Sequence, residues 1–111
     1  MSGKYVIQHG GSSQFHWNLK AGNGETILSS QLYASKQSAE NGIQSCRTNS
    51  SHDERFTRMT SKDGKPYFVL KAGNGEPIGT SEMYGSEAAR EKGIASCKEN
   101  GASLVVQDDT K

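Results

Sequence analysis

The sequence predicts an α+β fold in which one motif of about fifty residues occurs twice and builds one continuous sheet with two helices. Three observations predict this class: the halves of the chain repeat each other, each half begins with strand-like alternation, and each half then changes to helical spacing. At 111 residues the chain has the usual size of a single domain. We therefore expect one domain that spans residues 1–111.

The repeat is the strongest signal in the chain. A shift of 51 residues aligns 15–50 with 66–101, and 17 of these 36 positions are identical. Two copies are too few for a solenoid or a propeller, so a closed unit of two pseudo-symmetric repeats is the simpler prediction. Repeat one is expected at about 4–57 and repeat two at about 55–108.

Each copy opens with three predicted strands, which in the first copy are residues 5–9, 15–21 and 25–30. The Gly-Asn-Gly segment 22–24 is typical of a hairpin turn, because Asn and Gly readily take positive φ. The alternation of apolar residues predicts that Leu19 lies opposite Ile27 and that Gly24 occupies the left-handed position of a bulged turn. The second copy repeats this arrangement.

A helix follows the strands in each copy. Ser35 and Ser86 are suitable N-caps, because a serine oxygen accepts from the free amides of the first turn. In the first copy, Ala39, Ile43 and Cys46 have the spacing of one helical face. Both copies also keep a glycine in mid-helix, although glycine costs about 1 kcal/mol relative to alanine there. The two glycines, at 42 and 93, indicate a close approach to the sheet or to the other helix.

The last strand of each copy decides how the halves join. Residues 103–108 read as a final strand, and one long strand from about Glu54 to Thr60 is expected to serve both copies. This sharing predicts one continuous sheet rather than two separate units. The predicted core is Tyr5, Phe15, Trp17, Leu19, Ile27, Ile43, Cys46, Phe56, Phe68, Leu70, Ile78, Ile94, Cys97, Leu104 and Val106.

Three blocks resemble the YegP-like family of small uncharacterised bacterial proteins. They are the run Leu-Lys-Ala-Gly-Asn-Gly-Glu at 19–25, Tyr33-x-Ser35-Lys36 and Gly42-Ile43-x-Ser45, with their second-copy counterparts. The resemblance implies tandem β-β-β-α-β units in a single antiparallel sheet, with exchanged C-terminal strands and both helices on one face. It brings no established activity. Copy two departs from copy one at Pro77 and Gly79, which should weaken its third strand or place it at an edge.

Composition narrows the classes of function. Thirteen basic and twelve acidic residues leave a formal charge of +1, so no general attraction to nucleic acid or to an anionic membrane is expected. No segment has the length of a signal peptide or a membrane span. We expect a cytoplasmic monomer whose two thiols, Cys46 and Cys97, are reduced and packed in the core.

No catalytic or metal-binding pattern stands out. The three histidines at 9, 16 and 52 fit no zinc spacing, and Gly22-x-Gly24 lies between two strands, where a turn is expected rather than a phosphate cradle. Glu25 and Glu76 follow the turns and are expected to pair with Lys20 and Lys71 at the surface, with a paired-carboxylate site as the alternative. We therefore expect no enzyme activity, no cofactor and no metal, and a non-catalytic binding or accessory module.

Two groups of side chains remain as candidate contacts for a ligand. Tyr33 and Tyr84 precede the helix caps and either pack locally or form a symmetric pair of ligand-contacting rings. By alternation the open face of the sheet carries His16, Asn18, Lys20, Thr26, Tyr67, Val69 and Lys71. Lysines mixed with aromatic rings are compatible with single-stranded nucleic acid, so nucleic-acid binding through Lys20, Lys71, His16 and Tyr67 is one alternative. A small-ligand site at the pseudo-two-fold seam is the other.

Overall fold

The protein is described by a computed structural model that covers residues 3–110. Within them the chain forms seven strands, two α-helices and one short 3₁₀ turn. In chain order these are β1 Lys4–Gly11, β2 Gln14–Lys20, β3 Thr26–Ser30, α1 Lys36–Asn49, the 3₁₀ turn Asp53–Arg55, β4 Phe56–Thr60, β5 Pro66–Lys71, β6 Pro77–Ser81, α2 Glu87–Asn100 and β7 Val106–Asp108. The predicted α+β class is confirmed.

All seven strands belong to one sheet in the order β4-β5-β6-β3-β2-β1-β7. The sheet is mixed, because β7 runs parallel to β1 while every other neighbouring pair is antiparallel. The prediction of a wholly antiparallel sheet was therefore wrong. Helix α2 ends beside Gly3, at the start of β1, and the Ser103 hydroxyl donates to the Gly3 carbonyl. The chain therefore begins β7 at the same end of the sheet as β1, and the two strands run in the same direction.

The segment between α1 and β4 also differs from expectation. Residues 53–55 form a 3₁₀ turn in which the Arg55 amide donates to the His52 carbonyl, and the strand begins only at Phe56. The long strand predicted from Glu54 to Thr60 is thus shortened, and β4 serves only as the first strand of the second half. The predicted continuity of the sheet is confirmed, but it is the pairing of β3 with β6 that joins the halves.

The β3–β6 pairing brings repeat equivalents face to face. Ser29 lies opposite Thr80, its own equivalent at the 51-residue offset, and the flanking pairs follow in reversed order. Strand β6 is therefore central, so the alternative that Pro77 and Gly79 place it at an edge was wrong, and the weakening of this strand stays a prediction. Pro77 is tolerated because it is the first residue of the strand. Gly79 leaves room for its own equivalent, Leu28, whose Cγ would lie 2.8 Å from a Cβ at position 79.

The hairpin turn is confirmed, but the register beyond it is not. Gly24 has φ of +88° and its amide donates to the Ala21 carbonyl, which closes the predicted three-residue loop. Leu19, however, pairs with Leu28 rather than Ile27, because the register shifts between Leu19 and Lys20. The extra residue is a β-bulge, and it lets two consecutive apolar side chains of β3 reach the core.

Both helices begin where the serines predict. The Ser35 and Ser86 hydroxyls each accept from a first-turn amide at 3.1 Å. Helix α1 packs over β2, β5 and β6, and α2 over β2, β3 and β5, so each helix crosses both halves of the sheet. Near their ends the helices meet at Ser50 and Gly101, which are again repeat equivalents. Neither helix in residues 3–110 is long and apolar enough to span a membrane.

The core largely follows the predicted set. One hydrophobic cluster contains side chains of both helices and both halves of the sheet, and Phe15 packs half-buried at its margin. Leu104 and Val106 were wrongly placed in the core, since they are 81% and 43% exposed. Val106 belongs to the three-residue strand β7, which has no outer neighbour among residues 3–110, and Leu104 lies in the segment that leads into this strand. Alternation missed the buried residues Val6, Ile7, Leu28 and Val69. Ala39 was absent from the predicted core but is buried on the helical face that its spacing predicted.

The contacts of Asp108 in β7 predict that the stability of the protein depends on pH in the acid range. Lys36 of α1 and the Thr110 amide and hydroxyl bind the Asp108 carboxylate and hold its pKa well below the usual range. A carboxylate whose pKa is lowered by folding stabilises the native state above its ordinary pKa, and this stabilisation is lost as pH falls through the lowered value. The Asp108→Asn variant should therefore lose stability relative to wild type at neutral pH.

The difference in the free energy of unfolding between wild type and the Asp108→Asn variant should shrink progressively below about pH 4. Urea unfolding of both proteins across this range measures it. Taking the difference removes the shared contributions of Asp53 and Glu91, whose pKa values are also lowered, by Lys98 and Arg58 respectively. A difference that stayed constant down to pH 2 would contradict the assigned role of Asp108.

Candidate binding clefts

Two clefts lie where each helix faces the hairpin of the other repeat. Cleft 1 has a volume of about 290 Å³ and lies between α1 and the β5–β6 turn. Its lining comprises Gln31, Tyr33, Ser38, Asn41, Gly42, Ser45, Ala72, Asn74, Glu76, Pro77 and Ile78. Neither repeat forms this cleft alone, because the helix comes from one and the turn from the other.

Cleft 2 is the counterpart on the other side of the seam. It has a volume of about 220 Å³ and is lined by Ala21, Glu25, Thr26, Ile27, Tyr84, Lys92, Gly93 and Ser96. Every one of these residues has its 51-residue equivalent in the lining of cleft 1. The pairs differ only at Thr26 and Pro77 and at Lys92 and Asn41. The residues that the two copies share thus converge on two equivalent sites.

A tyrosine packed on a glycine forms one wall of each cleft. A Cβ on Gly42 would lie 2.2 Å from the Tyr33 hydroxyl, and a Cβ on Gly93 would lie 2.1 Å from the Tyr84 hydroxyl. The expected close approach to the mid-helix glycines therefore exists: a tyrosine ring approaches both glycines most closely, and Trp17 of the sheet also approaches Gly42. Burial raises the pKa of both tyrosines, so each hydroxyl stays protonated and able to donate at neutral pH.

The Trp17 indole borders the Tyr33 wall. Its Nε1 would be 3.0 Å from the same Cβ on Gly42 and lies beside the Tyr33 hydroxyl, where its effect on the pKa of Tyr33 opposes the larger effect of burial. Copy two carries Phe68 at this position, and that ring stacks on Tyr84 with centroids 6.2 Å apart. The two clefts therefore share their shape, but only the first has an indole N–H behind its tyrosine.

The hairpin turns supply the acidic side of the clefts. The Asn23 side chain donates to the Glu25 carboxylate at 3.0 Å, and the Glu25 amide donates back to the Asn23 Oδ1 at 3.0 Å. Asn74 and Glu76 repeat this arrangement in the second copy. Among the described ion pairs Glu25 does not contact Lys20, so the predicted lysine–glutamate pairs at the turns were wrong. The carboxylates are held at the rims of two separate clefts.

The sequence-predicted contact residues fall into two groups. Tyr33 and Tyr84 line clefts 1 and 2. The other four belong to strands β2 and β5, which are separated in the sheet by β3 and β6. These four are half-buried: His16, Lys20, Tyr67 and Lys71. Because β2 and β5 run in opposite directions, Lys20 and Lys71 lie at opposite ends of the sheet and do not form one basic patch.

Further candidate sites are the two cysteines, the possible metal ligands and the seam between the repeats. Cys46 and Cys97 are free and fully buried, and a hydrogen bond with Cys46 together with burial raises the pKa of Cys97, which keeps that thiol protonated. No cluster of three or more His, Cys, Asp or Glu side chains suits a metal within residues 3–110. A cavity of about 230 Å³ at the β3–β6 seam, next to Ser29 and Thr80, is where a ligand on the seam would sit.

Sequence reasoning missed the helical part of the clefts. Ser45 and Ser96 were identical in both copies, which was a usable signal, but their contact with the opposite hairpin depends on how the helices cross the sheet. Single-sequence patterns do not contain that crossing angle. The fold and its clefts define a small α+β protein of duplicated architecture with two equivalent cavities between its repeats.

The comparisons with known proteins agree with this class. The family described as a domain of unknown function (DUF1508) matches residues 12–56 and 61–108, one match per repeat. The chain belongs to this family. A UPF0339 protein of Acinetobacter baylyi is 54% identical over 110 residues, covering 99% of each chain, and the UPF0339 protein YegP of Escherichia coli K12 is 52% identical over 110 residues, covering 99% of this chain and all of its own. The predicted YegP-like resemblance is confirmed.

Solved structures show the same fold. The solution NMR structure of a UPF0339 protein from Shewanella oneidensis superposes with a TM-score of 0.93 at 50% identity and covers 99% of this chain and 93% of its own. That of yegP from Escherichia coli, titled a protein of unknown function, also has a TM-score of 0.93, at 52% identity with 99% and 95% coverage. The family relationship brings no assigned activity, in agreement with the sequence-based expectation.

Proposed function

We propose that this protein is a non-catalytic binding module that holds a small polar ligand in each of its two clefts. One observation carries the proposal: the residues kept in both repeats, among them Ser45, Ser96, Glu25 and Glu76, converge on cavities that each need both repeats. Hydroxyl donors on one wall and a carboxylate on the other suit a compact ligand with hydroxyl or amino groups. The volumes lie at the small end of ligand pockets, which limits the ligand to metabolite size.

The proposal includes how the chain is organised. The two repeats are proposed to fold as one domain of two pseudo-symmetric halves, supported by the shared sheet and the single hydrophobic cluster. The crossing of β7 to β1 supports the exchange of a C-terminal strand in one direction. The cytoplasmic location and the monomeric state stay predictions. Nucleic-acid binding stays an alternative without a specific observation in its favour.

A titration of the ¹⁵N-labelled full chain tests the clefts. The probes are the individual L-amino acids and simple amino sugars at millimolar concentration, and the reporters are the amides of Gly42 and Gly93. We expect at least one probe to shift both signals and the Tm, and the Ser96→Ala variant to lose only the Gly93 response. The Ser61→Ala variant, which changes a serine of the β4–β5 turn, is the control. Responses confined to Lys20 and Tyr67 would contradict the proposal and favour the open face.

A further inference from the structure

The C-terminal end of α1 holds a guanidinium that belongs to the chain itself. The Asn49 amide group donates to the Ser45 carbonyl at 2.8 Å, and its Oδ1 accepts from Arg55 Nη1. The Arg55 guanidinium lies against the β5–β6 turn, where its atoms would be 3.2–3.5 Å from a Cβ on Gly73. Helix end, turn and arginine thus form one filled site.

The end of α2 repeats this arrangement without the arginine. The Asn100 amide group donates to the Ser96 carbonyl at 2.8 Å and to the Ser96 hydroxyl at 3.1 Å, as its equivalent Asn49 does with Ser45. Asn100 is only 5% exposed, yet its Oδ1 has no hydrogen-bond partner among residues 3–110. The residue equivalent to Arg55 is Lys4, whose ammonium donates instead to the Gln107 side chain at 2.6 Å.

A cavity lies where the arginine would be. Its volume is about 350 Å³, and its lining is Ala21, Gly22, Asn23, Ser96, Glu99 and Asn100. Gly22 is the repeat equivalent of Gly73, on which the Arg55 guanidinium rests in the filled site. Glu99 replaces Thr48 of the first copy and brings a carboxylate to this cavity. The cavity therefore combines a carboxylate with a glycine surface, and it borders Asn100, whose unpaired amide oxygen lies beneath Gly3.

We propose that this cavity, named here the Asn100 cavity, binds the guanidinium group of a ligand. A guanidinium is planar and carries only donors, so it complements an amide oxygen and a carboxylate that both accept. Filling the site also removes the cost of a buried acceptor without a partner. An ammonium group lacks the fork of donors that reaches both acceptors at once. The proposal does not rest on the twin clefts, although the Asn100 cavity shares Ala21 and Ser96 with cleft 2.

One structural change is required on binding. The chain at Gly3 covers Asn100 Oδ1, since a Cβ on Gly3 would be 2.7 Å from that oxygen. The ligand must therefore displace Gly3, the residue before β1, slightly. The amide signals of Gly3 and Lys4 should report binding together with those of Gly22 and the Asn100 side chain.

Titration of the ¹⁵N-labelled full chain with four probes tests the proposal. L-arginine and its acetylated amide carry the guanidinium, L-citrulline replaces it by a neutral urea of the same shape, and L-lysine carries an ammonium. We expect at least one of the two arginine probes to shift the Gly22 and Asn100 signals, with citrulline and lysine at least tenfold weaker, about the value of one charge-assisted hydrogen bond. If only free L-arginine binds, the source is a metabolite, and equal binding of the blocked form points to an arginine side chain in a peptide.

Three variants, one of them a control, test which residues bind the guanidinium group. Glu99→Gln changes an exposed residue and should weaken arginine binding about tenfold, whereas Glu87→Gln at the far end of α2 should leave it unchanged. Arg55→Ala should open the equivalent site at Asn49, so arginine should then also shift Gly73. Equal shifts with citrulline, shifts that survive Glu99→Gln, or silence at Gly22 and Asn100 would each overturn the proposal.

Discussion

The Gly79→Ala variant should have a free energy of unfolding about 1–3 kcal/mol lower than that of wild type, because this is the usual cost of overpacking a dense core. Its new Cβ would lie 2.8 Å from Leu28 Cγ and 2.9 Å from the Ser29 carbonyl oxygen. The Leu28 side chain has little space to retreat, because it is fully buried. Urea unfolding followed by circular dichroism measures the change.

A background that removes the leucine provides the control. Leu28→Ala alone should cost about 2–5 kcal/mol because it leaves a cavity. In that background Gly79→Ala should cost clearly less than it does in wild type, since only the contact with the Ser29 carbonyl remains. Gly85→Ala, where a Cβ would meet no atom within 4 Å, should change stability little. An equal cost of Gly79→Ala in both backgrounds would contradict the seam packing.

The Gly93→Ala variant should also destabilise the protein, by about 1–3 kcal/mol, although alanine is the better helix former. The reason is the Tyr84 ring, whose Cζ and hydroxyl would lie 2.5 and 2.1 Å from the new Cβ. Stacking on Phe68 restrains this ring from moving away. The variant should therefore lose stability and cleft 2 together.

The sign of this effect should reverse when the ring is removed. In a Tyr84→Ala background, Gly93→Ala should stabilise the protein by up to about 1 kcal/mol, the intrinsic preference of a helix for alanine. A double-mutant cycle of the four proteins by urea unfolding measures the coupling. If Gly93→Ala were destabilising to the same extent with and without Tyr84, the tyrosine would not be the reason for the glycine.

Features that depend on nearby residues could be predicted from the sequence. The Ser35 and Ser86 caps and the positive φ of Gly24 follow from interactions within a few positions of the chain. The bulge at Ile27 could not be predicted, because both Ile27 and Leu28 are apolar and fit either register.

Features set where the repeats meet could not be predicted. Gly79 suggested a weak strand, but its reason is contact with its own equivalent, Leu28. Gly101 and Ser50 show the same rule at the ends of the helices, where a Cβ on the glycine would lie 2.2 Å from the serine hydroxyl. At these positions one copy carries a side chain, and the equivalent glycine of the other copy leaves the space that this side chain fills. This is possible because the two copies of a duplicated chain can carry different residues at equivalent positions.

The candidate site shows the same division. Tyr33 and Tyr84 were found because they recur at one place before each helix. The opposite walls of the clefts come from the other repeat, and the Asn100 cavity depends on an arginine being present at 55 and absent at 4. The effect of such differences between the copies can be predicted only when the fold shows which residues surround each equivalent position.

Native-state hydrogen exchange tests the central claim, that both repeats form one cooperative unit whose clefts need both halves. The amides of Leu19 in β2 and Leu70 in β5 should exchange through the same global opening, with equal free energies. Gly93→Ala, a change in the second repeat alone, should lower both values by the same amount. If Leu19 kept its full protection while Leu70 lost protection, the repeats would be independent and the account of shared clefts would be wrong.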